Sequence, residues 1–282
     1  MNGALRTLRR TVLPVFARWN PGDVTIRHHF TGEPVRLQSF QHRGYWFFGR
    51  RREAESMQLF AEVVRPGDGV CEVGGHIGYV ALYFAALVGP AGHVWVFEPG
   101  PNNLPYTRAN LQGRPNVTLL EQGAGRVCER RVLFIEDVSG QNNSFVPGFA
   151  RFERTRTRAG LAAFGTRDVE VDVVPLDAFA AQAGRSIDFL KIDVEGFELA
   201  VLEGARALLA SERPVVMVEV QADHAAVFRL LREHGYALFS PTLTPLGAPK
   251  SLADNTFCFH ETAHAALLAR LLRSHSESGG AR

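Results

Sequence analysis

Two hydrophobic periods take turns along this chain. Positions 24–30 alternate apolar and polar and are rich in β-branched and aromatic residues. Thr31-Gly32-Glu33-Pro34 is a turn, and 35–37 returns as the second arm of a hairpin. Positions 53–64 place Met57, Phe60, Ala61 and Val64 on one helical face, and Arg65-Pro66-Gly67-Asp68-Gly69 ends that helix. The pattern then reads strand 70–73, helix 77–88, strand 94–97, helix 102–111 and strand 117–120. After Leu176 it resumes with strand 187–192, helix 198–209, strand 215–220, helix 225–234 and strands 237–239 and 255–259. A helix over 263–272 and a polar tail from Ser274 close the chain. Strands separated by helices of this length predict right-handed crossovers and a parallel sheet.

Between these halves the alternation stops. Residues 123–174 hold two short β-like runs, 132–135 and 169–174. Around them lie a polar stretch, 139–144, and an arginine-rich one, 151–160. The region reads as an insertion with a mobile arm, a kind of loop that often carries substrate contacts. The predicted organisation is an N-terminal extension (1–52), one α/β domain (53–273) with the insertion at about 123–174, and a disordered tail (274–282).

Composition narrows the classes. With 282 residues, 46% hydrophobic and 21% charged, the chain suits one large globular domain. Cys71, Cys128 and Cys258 are odd in number and lack CxxC spacing, which predicts reduced thiols in a cytoplasmic protein and no zinc site. A net charge of +2 offers no global field for nucleic acid. The longest apolar run, 80–88, is far short of the roughly 20 residues a membrane span needs. Leu5, Leu8, Val12, Val15, Phe16 and Trp19 recur at helical spacing among arginines, which fits a docked helix or a peripheral membrane segment over 1–19.

Two strand ends carry chemistry. The first is Glu72-Val73-Gly74-Gly75-His76-Ile77-Gly78, a strand, a glycine turn and a helix start. One glycine allows the sharp turn; the later one lets backbone N–H groups approach a ligand. Glu98 ends the next strand, where a carboxylate can take hydrogen bonds from a ribose diol. Glu72 would repel a pyrophosphate and suits an ammonium or sulfonium, which favours S-adenosylmethionine over a nicotinamide dinucleotide.

The second is Lys191-Ile192-Asp193-Val194-Glu195-Gly196-Phe197-Glu198. Ligands in such sheets sit beyond the carboxyl ends of the strands. Asp193, Glu195 and Glu219 are therefore candidates for a base, or for a hard divalent cation such as magnesium; the absence of an obvious third ligand favours the metal-free reading. Lys191 is one of only two lysines; it either joins Asp193 or snorkels from the strand end. Glu198, Glu203 and Glu212 read as solvated helix charges, and His224 as a surface residue at a helix start.

These blocks, with Phe97-Glu98-Pro99, Asn116-Val117-Thr118 and Leu202-Glu203-Gly204-Ala205, resemble the FkbM family of S-adenosylmethionine-dependent methyltransferases over residues 63–259. The resemblance implies a Rossmann-like class I methyltransferase sheet of seven strands, the last antiparallel. It implies a cofactor above the glycine turn, touched by Glu72, Gly74, Gly75, His76, Gly78, Glu98, Pro99 and Gln122. It implies O-methylation of a hydroxyl on a sugar, glycolipid or secondary metabolite. Gly75-His76 stands where the family more usually has Ala-Asn, so the role of His76 stays open. On the residues alone, a nicotinamide-dependent oxidoreductase and a non-catalytic binding module on the same fold remain as alternatives.

Overall fold

The computed structural model describes residues 19–136, 138–148, 166–252 and 254–279. The amphipathic segment before Trp19 and the arginine-rich stretch 151–160 lie outside the described residues.

The chain opens with a hairpin, β1 (Asp23–Arg27) against β2 (Pro34–Gln38). β1 stops short of the predicted 30 because His28 turns inward. Its Nδ1 accepts the N–H groups of Phe30 and Thr31, so the other ring nitrogen donates to the Tyr79 carbonyl at 3.0 Å. Helices Arg43–Phe48 and Ala54–Val63 follow.

The main sheet contains β3 (Gly69–Val73), β4 (His93–Phe97) and β5 (Val117–Leu120). A small separate sheet comes next, in the order β6 (Gly123–Ala124), β8 (Thr166–Val174), β7 (Glu129–Glu136). The main sheet resumes with β9 (Phe189–Ile192), β10 (Val215–Glu219), β11 (Tyr236–Phe239) and β12 (Asn255–His260). Its spatial order is β11-β12-β10-β9-β3-β4-β5, with β12 antiparallel to both neighbours. This is the Rossmann-like class I methyltransferase sheet expected from the resemblance, its last strand reversed.

Alternation along the strands separates two cores. Val70, Phe189, Val215 and Met217 face Phe60 and Phe84 of helices Ala54–Val63 and Tyr79–Val88. Cys71, Leu190, Ile192, Val216 and Val218 face Val201, Leu208 and Leu231 on the other side.

Three helix boundaries differ from the periodicity for local reasons. The helix predicted from 77 starts at Tyr79, because Gly78 is left-handed (φ 78°). The helix predicted over 198–209 is two, Glu198–Glu203 and Arg206–Ser211. The break comes where Gly204 packs on the Gly125 carbonyl so closely that a Cβ would collide with it. The tail predicted as disordered from Ser274 is helical to Gly279, held by His275 on Glu62 at 3.2 Å. Among the described residues no helix is long and apolar enough to cross a membrane.

Candidate active site

Glu72 and Lys191 point to the same sheet face as Val70 and Phe189, and the parallel register sets them opposite one another. The Lys191 Nζ lies 3.5 Å from the Glu72 carboxylate and 3.2 Å from Asp193 Oδ2. Lys191 is 2% exposed and Glu72 1%. The snorkelling reading of Lys191 does not survive. Burial pulls the lysine toward neutrality, but Asp193 and Glu72 outweigh it and hold the ammonium well above its usual range. Burial pushes Glu72 up to about 7 although Lys191 opposes the shift. Glu72 Oε2 is buried without a hydrogen-bond partner among the described residues.

The glycine turn works differently from the expectation. The N–H groups of Gly74 and Gly75 donate to the Phe97 carbonyl, that of His76 to Glu98 Oε2 at 2.6 Å, and that of Gly78 to the Gly75 carbonyl. Four donors of the turn are engaged inside the protein, so they form no phosphate cradle. Gly74 (φ 92°) is required because a Cβ would collide with the Asp193 carbonyl. Gly78 faces the Leu111 side chain and does not line the cleft.

Glu98 is buried. Its Oε1 accepts from Gly100 N–H (2.8 Å) and Asn103 Nδ2 (3.1 Å), and its Oε2 from His76 N–H. A carboxylate has about four acceptor positions, so one remains rather than the two expected for a diol. Burial pushes its carboxyl up to about 7 against those three donors.

His76 is a cross-brace. Its Nε2 lies 3.1 Å from the Ser139 carbonyl, which can only accept, so Nε2 carries the proton and Nδ1 accepts from the Tyr45 hydroxyl at 2.9 Å. Burial holds the ring neutral, its pKa well below the ordinary value. The turn is thus tied to the N-terminal segment and to the insertion at once.

The stretch 139–144, expected as part of a mobile arm, is a braced wall. Glu136 accepts from the N–H groups of Val138 (2.9 Å) and Ser139 (3.0 Å) and from the Ser139 hydroxyl. Asn103 donates to the Gly140 carbonyl, and Asn143 to Asn102. Ser144 Oγ donates to the Glu195 carbonyl at 2.6 Å, fastening a turn in which Glu195 has a positive φ of 52°.

These walls enclose a cleft of about 1080 Å³. Small-ligand pockets span about 300–1,000 Å³, so the space suits a cofactor together with an acceptor. Glu72, Gly74, Gly75, His76, Glu98, Pro99, Lys191, Asp193, Glu195 and Glu219 all line it. Gln122 does not; Gly123 and Ala124 line it instead. The register Ile192↔Val218 sets Asp193 and Glu219 side by side at adjacent strand ends. Glu198 is a correction: it is 1% exposed, takes the Gly196 N–H at 2.7 Å, and is pushed by burial up to about 7. His224 is exposed and outside the cleft. Among the described residues no group of three His, Cys, Asp or Glu could hold a metal ion.

Sequence reasoning missed Tyr45, Arg52 and Asn103, and took the 139–143 wall for part of a mobile arm. Asn103 had a signal, since two asparagines follow Glu98-Pro99 within a few residues. Tyr45 and Arg52 had none, because they come from outside the sheet.

Comparison with known proteins decides the family. The methyltransferase FkbM domain profile matches residues 72–238, from the first site carboxylate through the insertion to β11. The chain is also 32% identical over 198 residues to the 31-O-demethyl-FK506 methyltransferase FkbM of Streptomyces tacrolimicus, covering 62% of this chain and 75% of that protein. The chain belongs to the FkbM methyltransferase family. Methyltransferase 1 of Beauveria bassiana is 25% identical over 188 residues, covering 60% of this chain and 72% of that one. Among solved structures, methyltransferase FkbM from Methylobacillus flagellatus KT is similar at 17% identity and a TM-score of 0.42. That match covers 72% of this chain and half of the other, a likeness too loose to carry inference.

The cofactor that the FkbM family implies is S-adenosylmethionine, and the residues fit it. Glu72 offers an unsatisfied buried carboxylate oxygen to a cationic group, and Glu98 keeps one acceptor position for a ribose hydroxyl. Engaged N–H groups in the turn disfavour the pyrophosphate of a nicotinamide dinucleotide.

Two outcomes follow from these charges. Lys191→Met strands Glu72 in the interior. It should lower unfolding free energy in urea by about 3–5 kcal/mol, the usual cost of breaking a buried pair. Adding Glu72→Gln should restore most of the loss; wild-type stability in the single variant would show that the pair is dispensable. For Glu198, the folded carboxyl at about 7 lies above its unfolded value of about 4.5. Its stabilising contribution is therefore complete below about pH 4.5 and is lost as pH rises through about 7. Wild-type unfolding free energy should fall more steeply from about pH 4.5 to 7 than that of Glu198→Gln, by up to about 1.4 kcal/mol per pH unit, and the two curves should run parallel above that. Curves parallel throughout would remove Glu198 from the titration.

Proposed function

We propose that this FkbM methyltransferase uses S-adenosylmethionine to methylate a hydroxyl on a sugar, glycolipid or secondary metabolite. The observation that carries the reading is the position of Asp193. It stands half-buried in the cleft, held by Lys191, next in register to Glu219 and behind the Gly74 turn. The name of the Streptomyces tacrolimicus relative specifies transfer to an oxygen, which supports the same chemistry here.

When bound, S-adenosylmethionine supplies a methyl group already activated by its sulfonium. What the chain must do is align the acceptor, exclude water and take the hydroxyl proton. Asp193 is placed to accept that proton, with Glu219 beside it. Lys191 is a positioning residue: it fixes the Asp193 carboxylate and partly neutralises Glu72. Glu98 and Glu72 would hold the nucleoside and the amino-acid parts of the cofactor. The braced 139–143 wall and helix Arg43–Phe48 close the sides against water.

Glu98→Ala should weaken S-adenosylhomocysteine binding in calorimetry at least about tenfold, the loss of one hydrogen bond to a charged group. Unchanged affinity would take Glu98 out of the site. Asp193→Asn preserves size and should keep that affinity while turnover falls about a hundredfold or more, as for loss of a general base. The assay is transfer of labelled methyl to a panel of glycans and hydroxylated metabolites, with the product located by mass spectrometry. Full turnover in Asp193→Asn, or a methyl found on nitrogen or carboxylate, would overturn the assignment.

A further inference from the structure

One rim of the cleft lies outside the matched family region and carries side chains that methyl transfer does not require. Helix Arg43–Phe48 exposes Trp46 (41%), Phe47 (64%) and Phe48 (44%) at three successive positions. Those are three of the seven large apolar side chains exposed among the described residues, so the exposure is concentrated and not scattered. Their rings pack edge to face, Trp46 on Phe47 at 6.3 Å and Phe47 on Phe48 at 5.0 Å, forming one continuous patch. The Trp46 indole N–H donates to the Ser39 carbonyl at 2.8 Å, so the outward part of that ring is apolar. All three residues also line the cleft, so the patch forms one rim of its mouth.

The exposed charges within this segment have one sign. Residues 38–52 contain Arg43, Arg50, Arg51 and Arg52 and no acidic residue. Arg52 turns inward onto the Tyr45 ring and Glu53, and Arg43 donates to the Phe40 carbonyl. Arg50 and Arg51 are exposed. Aromatic rings next to exposed arginines match the boundary of an anionic bilayer, where rings settle at headgroup level and guanidiniums meet phosphates. A second copy is a poor occupant, because a two-fold contact would bring the same patch face to face and set arginines against arginines.

We propose that Trp46, Phe47 and Phe48, with Arg50 and Arg51, dock the mouth of the cleft onto an anionic lipid bilayer. An acceptor embedded in that surface then meets the cleft without crossing water. The docking does not rest on the methyl-transfer reading and is measured without turnover.

The test is co-sedimentation of the full chain, at low salt, with vesicles of phosphatidylcholine alone and of phosphatidylcholine containing phosphatidylglycerol. The chain should bind the anionic vesicles and bind the neutral ones more weakly. Phe47→Ser with Phe48→Ser should reduce affinity for anionic vesicles at least about tenfold, since two buried rings are lost. Arg50→Gln with Arg51→Gln should reduce it about tenfold or more. Both variants should keep the wild-type melting temperature, and the arginine pair, exposed apart from the contact of the Arg50 guanidinium with the Phe30 ring at 5.4 Å, tests the idea even if the phenylalanine pair does not fold. No binding to anionic vesicles overturns the proposal. So does wild-type binding by the arginine variant or by a folded phenylalanine variant, which would place adhesion elsewhere. A dimer in sedimentation velocity that Phe47→Ser with Phe48→Ser dissolves would assign the patch to self-association and overturn it too.

Discussion

The charge cluster of Glu72, Lys191 and Asp193 is the constraint on which the site depends. Three acidic groups, Glu72, Glu98 and Asp193, gather at neighbouring ends of β3, β4 and β9, where the interior offers little screening. Like charges so placed repel strongly. A single ammonium between two of them makes the arrangement tolerable. Because Glu72 and Lys191 are register partners, the ion pair and the β3–β9 pairing enforce each other. A one-residue slip of either strand would turn its charge into the opposite core.

The rest of the cleft is assembled around that cluster by neutral polar braces. His76 has a positive φ of 48° and holds Tyr45 with one ring nitrogen and the Ser139 carbonyl with the other. A histidine kept uncharged can donate and accept simultaneously, which an imidazolium cannot. This gives physical content to the departure at Gly75-His76. The side chain there is a clamp joining an N-terminal wall and an inserted wall to the glycine turn. Glu136 plays the matching part within the insertion, gathering the N–H groups of a tight loop onto one buried carboxylate. The outcome is a cleft whose floor is the main sheet and whose walls come from the N-terminal segment and the insertion.

The periodic stretches determined much of the fold by themselves: two-residue alternation for strands and helical spacing between them leave few topologies other than a parallel sheet with crossovers. The strand-end carboxylates were legible for the same reason, since the carboxyl ends of such strands face the ligand space. Most of the named site residues, from Glu72 and Glu98 to Asp193 and Glu219, line the cleft. What local sequence could not decide was what each polar group touches. Glu198 follows a glycine at a helix start, which reads as solvated, yet folding covers it completely. The N–H groups of the glycine turn look available in sequence, but β4 takes them through the Phe97 carbonyl and Glu98. The break at Gly204 depends on Gly125, some eighty positions away. Tyr45 and Ser139 meet at His76 only because two segments outside the sheet converge there. Periodicity records which face of an element is apolar, a local property. Hydrogen-bond partners, burial and the resulting pKa shifts depend on chain segments distant in sequence, and only tertiary packing selects them.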